Sequence, residues 1–230
     1  KRQVQENDGD LLWACDTVIE SAKTLAKKFQ IPNVTSNPLD LIADKKLDTV
    51  LIATDHASHI PIALTFLGKK KGILIEKPIG IPTDDLEGFG QKVERSTTVV
   101  GVISQHRYRP IITRVKEHLD CNAIGDIELI RSKTICAHPD EYYANSCWHG
   151  QLSKEGGSAL INQGYHVLDS LIYLFGTPTI ERAQCWTHRK KIMDADEGYS
   201  GTLMFGDGLE AQIFGSNAGS SGWNAMVELY

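Results

Sequence analysis

Between residues 11 and 104, short apolar runs alternate with segments of helical spacing, and few folds accommodate that rhythm. Leu11 to Cys15 is an apolar run ending at Asp16, and Ala22, Leu25, Ala26 and Phe29 then recur at the helical period over residues 20–29. The pattern continues with a short helix predicted at 38–43, a strand at 48–53 and a helix at 57–67. A strand at 72–75, a helix at 83–94 and a strand at 98–104 follow. The run from Asp48 to Ala53 is too apolar to have one wet face. Strand and helix in alternation mean a parallel sheet with helices on both faces.

After Ser104 the rhythm changes. A helix is predicted at 114–119 and a long strand at 125–137, and a largely apolar helix carries Leu160, Ile161, Val167, Leu168, Leu171, Ile172, Leu174 and Phe175 before Gly176 and Pro178 stop it. Four more strands are predicted at 180–187, 199–205, 209–215 and 225–229. Asp207-Gly208 between two of them is a favoured hairpin turn, so the pairing is antiparallel. Gly215 to Gly222 reads as a flexible connection. A domain boundary is placed near residue 105, giving domains 1–104 and 105–230.

Composition excludes several classes. The chain has 230 residues, 41% hydrophobic and 23% charged, with 24 basic and 29 acidic residues for a net charge of −5. That is the balance of a globular chain with a sizeable core, and no basic stripe marks a nucleic-acid surface. The run Lys69-Lys70-Lys71 after Gly68 reads as a solvated turn. Five cysteines, odd in number and never paired as C-x-x-C, suggest neither a disulfide framework nor a zinc site, and a reducing, cytoplasmic setting fits best. No apolar run approaches the roughly 18 residues that span a bilayer, and Lys1-Arg2-Gln3 leads into polar residues rather than a signal peptide. Lys1 to Asp10 holds no apolar strand, and Val227 to Tyr230 stops within one, so material is expected to be missing at both ends.

In an open parallel sheet, ligands sit beyond the carboxyl ends of the strands. Asp16 follows the first strand, where it either holds the ribose hydroxyls of a dinucleotide, favouring NAD over NADP, or caps the next helix with Glu20 nearby. Thr54-Asp55-His56 follows the second; Thr54 and Asp55 can cap a helix whose amino terminus suits a phosphate, and His56 and His59 lie three apart without a third metal ligand, so no metal is expected. Glu76-Lys77-Pro78 follows the third. Pro78 keeps Lys77 out of helical geometry, and a partly desolvated lysine beside an oxidised nicotinamide would have a lowered pKa and could move protons near neutral pH. The alternative is a surface Glu-Lys pair of little energetic value.

The segment from Glu155 to Asp169 opens with Gly156-Gly157 and carries Asn162 and His166 four residues apart on one predicted helical face. On the residues alone, the pair is either a placed polar constellation or two satisfied polar groups at a core edge. Tyr142, Tyr143, Trp148 and His149 precede it and could stack on a sugar or pack the loop. Arg107 could read a carboxylate or phosphate, or pair with an acid. His106, His118, His138 and His188 show no pattern and are taken as ordinary.

With Ile52-Ala53-Thr54, Glu76-Lys77-Pro78, Gln105-His106-Arg107-Tyr108, Gly125-Asp126-Ile127 and the 155–169 segment in order, the chain resembles the glucose-fructose oxidoreductase and inositol dehydrogenase family of NAD(P)-dependent sugar oxidoreductases. The resemblance implies a Rossmann domain, then an α+β domain whose open, mainly antiparallel sheet supports homo-oligomerisation. It implies a dehydrogenase acting on a hydroxyl of a sugar, cyclitol or sugar derivative, with NAD as cofactor and NADP disfavoured. Lys77 and His166 match the family's proton-handling residues. Asp16, Thr54, His56, Glu76, Lys77 and Pro78 are the candidate cofactor contacts, and Asn162, Arg107, Trp148 and Tyr142 the candidate substrate contacts. Asn162 stands where many members have aspartate, which makes it a positioning group, and Asp55 replaces a usual proline. The G-x-G-x-x-G loop, which the family carries about twenty residues ahead of Lys1, and its strand are expected in a longer chain. NAD-assisted glycoside cleavage and a non-catalytic nucleotide sensor remain as alternatives.

Overall fold

The computed structural model describes residues 9–206, 208–220 and 222–230. The chain divides into two compact units, one holding the described residues up to Ile52 with 61–74 and 87–101, the other holding 53–60, 75–86 and 102–230. Residues 53–60 and 75–86 precede the expected boundary near 105 yet cluster with the second unit.

In the first unit, β1 (Trp13–Cys15) pairs in parallel with β2 (Asn33–Thr35), a strand too short and polar for periodicity to reveal. Between them α1 (Ile19–Phe29) turns Ala22 and Ala26 onto Ala14 and Ile31. Lys27 and Lys28 in its last turn complement the helix dipole, and Gln30 ends it in the left-handed conformation. A short α2 (Asp40–Ala43) follows. The strands β3 (Thr49–Ile52), β4 (Gly72–Ile75) and β5 (Val100–Val102) form a sheet with β4 central. Ile73 N–H donates to Val99 O and Ile103 N–H to Ile75 O, so both indices advance together and the pairing is parallel. The two sheets are not joined among the described residues.

Two expectations need correction here. The strand at 48–53 is not buried on both faces: Val50 and Ile52 are buried but Leu51 is 61% exposed, because among the described residues only one face of this sheet is covered. Nor is the lysine run wholly solvated. Lys71 is buried, its Nζ donating to the carbonyls of Asp44 (2.6 Å) and Leu47 (2.8 Å) at the end of α2.

The chain continues through α3 (His59–Phe66) and α4 (Leu86–Glu94). In the second unit α5 (Pro110–Asp120) starts four residues earlier than predicted, since Pro110 suits the first helical position. The strands β6 (Leu129–Ile135), β7 (Thr179–Trp186), β8 (Gly198–Phe205), β9 (Leu209–Ser216) and β10 (Asn224–Leu229) form one mixed sheet in the order β10-β6-β9-β8-β7. Only the β6–β9 pairing is parallel. The β8–β9 hairpin forms as expected, although Asp207 of its predicted turn lies outside the described residues, as does Ser221 of the expected flexible connection. The loop before the 155–169 segment contains two short helices, α6 (Asp140–Ala144) and α7 (Leu152–Glu155). One face of the sheet supplies Ile130, Tyr199, Leu203, Phe205, Ala211 and Ile213 to a core completed by Val167 and Leu171 of α8 (Tyr165–Phe175). Burial of each of its Ile, Leu, Val and Phe side chains contributes about 1.5–3 kcal/mol of transfer free energy.

Candidate functional site

All residues that meet at the site belong to the second unit. β4 delivers Glu76, Lys77 and Pro78 beyond its carboxyl end, with a cis Lys77–Pro78 peptide. The helix predicted to carry Asn162 begins instead as a single π-helical stretch, Ala159–Gly164, before α8 takes over at Tyr165. A π turn widens the backbone spiral and is frequent at functional sites. Here it separates the two polar residues read as one face, so that Asn162 and His166 have different neighbours.

Lys77 Nζ donates to the Asn162 carbonyl oxygen (3.0 Å) and to its side-chain Oδ1 (2.7 Å). The rest of the Asn162 amide is then determined: Nδ2 donates to Glu155 Oε1 at 2.8 Å. Glu155 is fully buried, and its other oxygen accepts the Gly150 N–H at 2.5 Å. Burial pushes the Glu155 carboxyl up to about 7, against the donors that favour its charged form. Burial likewise lowers the Lys77 ammonium from the ordinary lysine range, while Glu76 and Glu155 oppose that shift.

The sequence places Glu155 there through Gly156, which ends α7 in the left-handed conformation at φ 78°. A side chain at Gly156 would come within 2.5 Å of Ile81, so only glycine lets this turn lie against the segment that follows Lys77. Asp196 then receives the N–H groups of Ser158 (2.7 Å) and Leu160 (2.8 Å) and anchors the start of the π turn.

Lys77 and Asn162 line a cavity of about 220 Å³ with Ala53, Thr54, His56, His59, Glu76, Tyr142, Trp148 and His149. His56 Nδ1–H donates to the Glu155 carbonyl at 2.7 Å, and burial depresses this imidazole to about 4, so it is neutral near pH 7. His59 Nδ1–H donates to Pro78 O at 2.7 Å. Both histidines are therefore bound to backbone carbonyls, and among the described residues no group of His, Cys, Asp or Glu is arranged to hold a metal ion. Trp148 meets the His56 ring edge-on at 4.9 Å and His149 at 3.7 Å, forming an aromatic wall.

His166 does not line this cavity. Its ring stacks on His106 at 4.3 Å, with Trp223 edge-on to both, and burial lowers it to about 4, followed by the charges of Lys77, His106 and Arg109. Arg107 donates through Nε (2.9 Å) and Nη2 (2.5 Å) to the buried carboxylate of Asp169, which also accepts from Ser104, so the guanidinium is engaged by an acid of its own chain. Asp16, in the first unit, is exposed and receives the Val18 N–H at 2.8 Å; Thr54 is exposed. Two histidines taken as ordinary are not. His106 forms the stack just described, and His138 stacks on Tyr142 at 4.0 Å and is lowered by burial to about 4. Sequence reading also assigned no role to Glu155. A carboxylate directly before two glycines and an apolar helix was the available signal.

Parallel strands alternating with helices, with chemistry on the segments that follow β3 and β4, and then an α+β part built on a mixed sheet define the class of Rossmann-fold proteins with an appended sheet domain. Comparison with known proteins narrows the class. Residues 2–106 match the oxidoreductase family with the NAD-binding Rossmann fold, and residues 112–230 match the GFO/IDH/MocA C-terminal domain; the chain belongs to the GFO/IDH/MocA family. It is 26% identical over 196 residues to levoglucosan dehydrogenase of Pseudarthrobacter phenanthrenivorans, covering 84% of this chain and 50% of that protein. It is 23% identical over 188 residues to D-glucoside 3-dehydrogenase of Escherichia coli, covering 80% and 52%. Among solved structures, GenD2 from gentamicin A biosynthesis in complex with NAD superposes with a TM-score of 0.84 at 25% identity, over 96% of this chain and 62% of that one. Levoglucosan dehydrogenase in complex with NADH and levoglucosan shares the fold with a TM-score of 0.88 at 22% identity, over 96% and 62%. The chain spans about half the length of the curated relatives it matches. Among the described residues no helix is long and apolar enough to cross a membrane.

Proposed function

We propose that this chain carries the reactive centre of an NAD-dependent dehydrogenase that oxidises a hydroxyl of a sugar, cyclitol or sugar derivative. One observation carries the reading: the Lys77 amine, its pKa lowered by burial, is aimed by the two hydrogen bonds it donates to Asn162 at a cavity walled by Trp148, His149 and Tyr142. With two N–H groups committed, the remaining position on Nζ is free to take a proton from a substrate hydroxyl. His166, held neutral, is the second candidate proton-handling group, and Asn162 positions Lys77 and the substrate.

The donor set fits a nicotinamide. The cavity is smaller than the roughly 300–1,000 Å³ of whole-ligand pockets, which suits one ring and a sugar rather than an entire dinucleotide. Thr54, His56, Glu76, Lys77 and Pro78 would hold that ring, and the exposed carboxylate of Asp16 would receive ribose hydroxyls and repel a 2′-phosphate, favouring NAD over NADP. When bound, the cofactor supplies the hydride acceptor. Trp148 and Tyr142 would stack on the sugar, while the pairing of Arg107 with Asp169 speaks against its reading a substrate anion. The names of the relatives, dehydrogenases of levoglucosan and of glucosides, support the substrate class. A cytoplasmic setting and self-association through the C-terminal sheet belong to the same reading; the exposed side chains of Phe214 and Met226, which share the face of the sheet away from α8, support the second.

The test is NADH formation across a panel of glycosides, anhydrosugars, uronates and inositols. Substrate-dependent NADH formation that Lys77→Ala abolishes supports the reading. Glycoside cleavage without net NADH, or NAD binding with no turnover on any panel member, overturns it.

A further inference from the structure

We propose that Glu155 is a positioning residue that supplies, through Asn162, the negative charge facing Lys77. The proposal rests on the reading of Lys77 as the proton-handling group. Each hydrogen bond in the array has one polarity. Asn162 Oδ1 can only accept, so Lys77 Nζ donates to it in either protonation state, which turns Asn162 Nδ2 toward Glu155, where Oε1 accepts at 2.8 Å and Oε2 accepts from the Gly150 N–H. The array therefore runs ammonium, amide, carboxylate. No carboxylate is bonded directly to the Lys77 side chain among the described residues, and Glu76 instead receives the backbone N–H of Lys77 at 3.1 Å. Glu155 is 0% exposed, so its charge reaches Lys77 through low-dielectric surroundings and an amide held by both ends.

The groups that face Glu155 are Lys77 beyond β4, His56 on the single 3-10 turn His56–Ser58 that leads into α3, Tyr142 and Tyr143 on α6, and Asp196 in the loop before β8. Lys77 is the one cation among them. An ionised Glu155 holds the Lys77 ammonium in place and sustains its pKa; a neutral Glu155 releases it. Lys77 would then be tuned by an acid that never touches substrate.

The array can be inverted. In Glu155→Gln/Asn162→Asp the carboxylate sits beside Lys77, the glutamine amide donates to it, and the glutamine carbonyl still accepts from Gly150. The readouts are Lys77 acylation against pH on the cofactor-free protein, followed by peptide mass spectrometry, and the pH profile of kcat/KM. Glu155→Gln should raise Lys77 reactivity at pH 7 by about threefold or more, the effect of half a pKa unit, and move the acidic limb of the profile to lower pH. The inverted pair should return both toward wild type, and Asn162→Asp alone, with two carboxylates in contact, should melt below the inverted pair. Unchanged Lys77 reactivity in a folded Glu155→Gln protein overturns the proposal, and so does an inverted pair that restores neither readout. Should Glu155→Gln not fold, the inverted pair decides: wild-type-like reactivity supports the role and its loss removes it. Full turnover in Lys77→Ala would defeat the proposed function instead, and the acylation result would still stand on its own.

Discussion

Glu155 and His56 touch through a backbone carbonyl and titrate in opposite senses. The folded state raises Glu155 from 4.5 to about 7 and so binds its proton more tightly than the unfolded chain does. Stability is therefore lost as pH rises from about 4.5 through 7, by up to about 3 kcal/mol. His56 is depressed from 6.5 to about 4, so its contribution is lost as pH falls through that window. Denaturant melts at several pH values should show Glu155→Gln losing its stability decline between pH 5 and 8, while wild type keeps it. Lys77→Ala should lower kcat/KM by about 10²–10⁴, and Lys77→Arg should fare no better, since a guanidinium keeps the charge but cannot take up a proton. Steady-state kinetics on any substrate found in the panel checks both.

At the scale of elements, the π turn Ala159–Gly164 matters most, since it leaves the Asn162 carbonyl open to Lys77 and turns His166 toward His106. Deleting Gln163 would return the segment to the α register and rotate Asn162 by about 100° relative to α8. Circular dichroism should show the helix retained, while turnover falls to the level of Lys77→Ala. Periodicity announced this helix, its apolar residues and its stop at Gly176, but a π turn has no sequence period of its own. Gly156 makes a second test. Gly156→Ala forces a side chain into Ile81 at a positive φ and should cost about 2 kcal/mol or more, read as a lowered Tm, with Glu155 displaced.

For the whole molecule, the mixed sheet covers one face with α8 and leaves Phe214 at 41% and Met226 at 40% exposed on the other. If that surface pairs copies of the chain, Phe214→Lys/Met226→Lys should shift sedimentation toward the monomer without altering the acylation of Lys77. Strand and helix order was legible almost throughout, because apolar periodicity follows directly from which face is buried. The short polar strand β2 and helices α6 and α7 were not, since their positions depend on partners distant in the chain. The mixed sheet was read as mainly antiparallel; its one parallel pair, β6 with β9, joins strands too far apart in sequence for any turn signal to announce.

The sequence by itself determined the alternating first part, the strand-rich second part, and the candidates Lys77, Asn162 and His166, since local pattern and residue type carry that information. Only tertiary structure decided which of them meet. Lys77 and Asn162 share a cavity, Glu155 closes the array from beneath, Arg107 is held by Asp169, and His166 stacks on His106. Hydrogen-bond polarity and burial depend on residues tens of positions apart, and no spacing rule along one chain reports them.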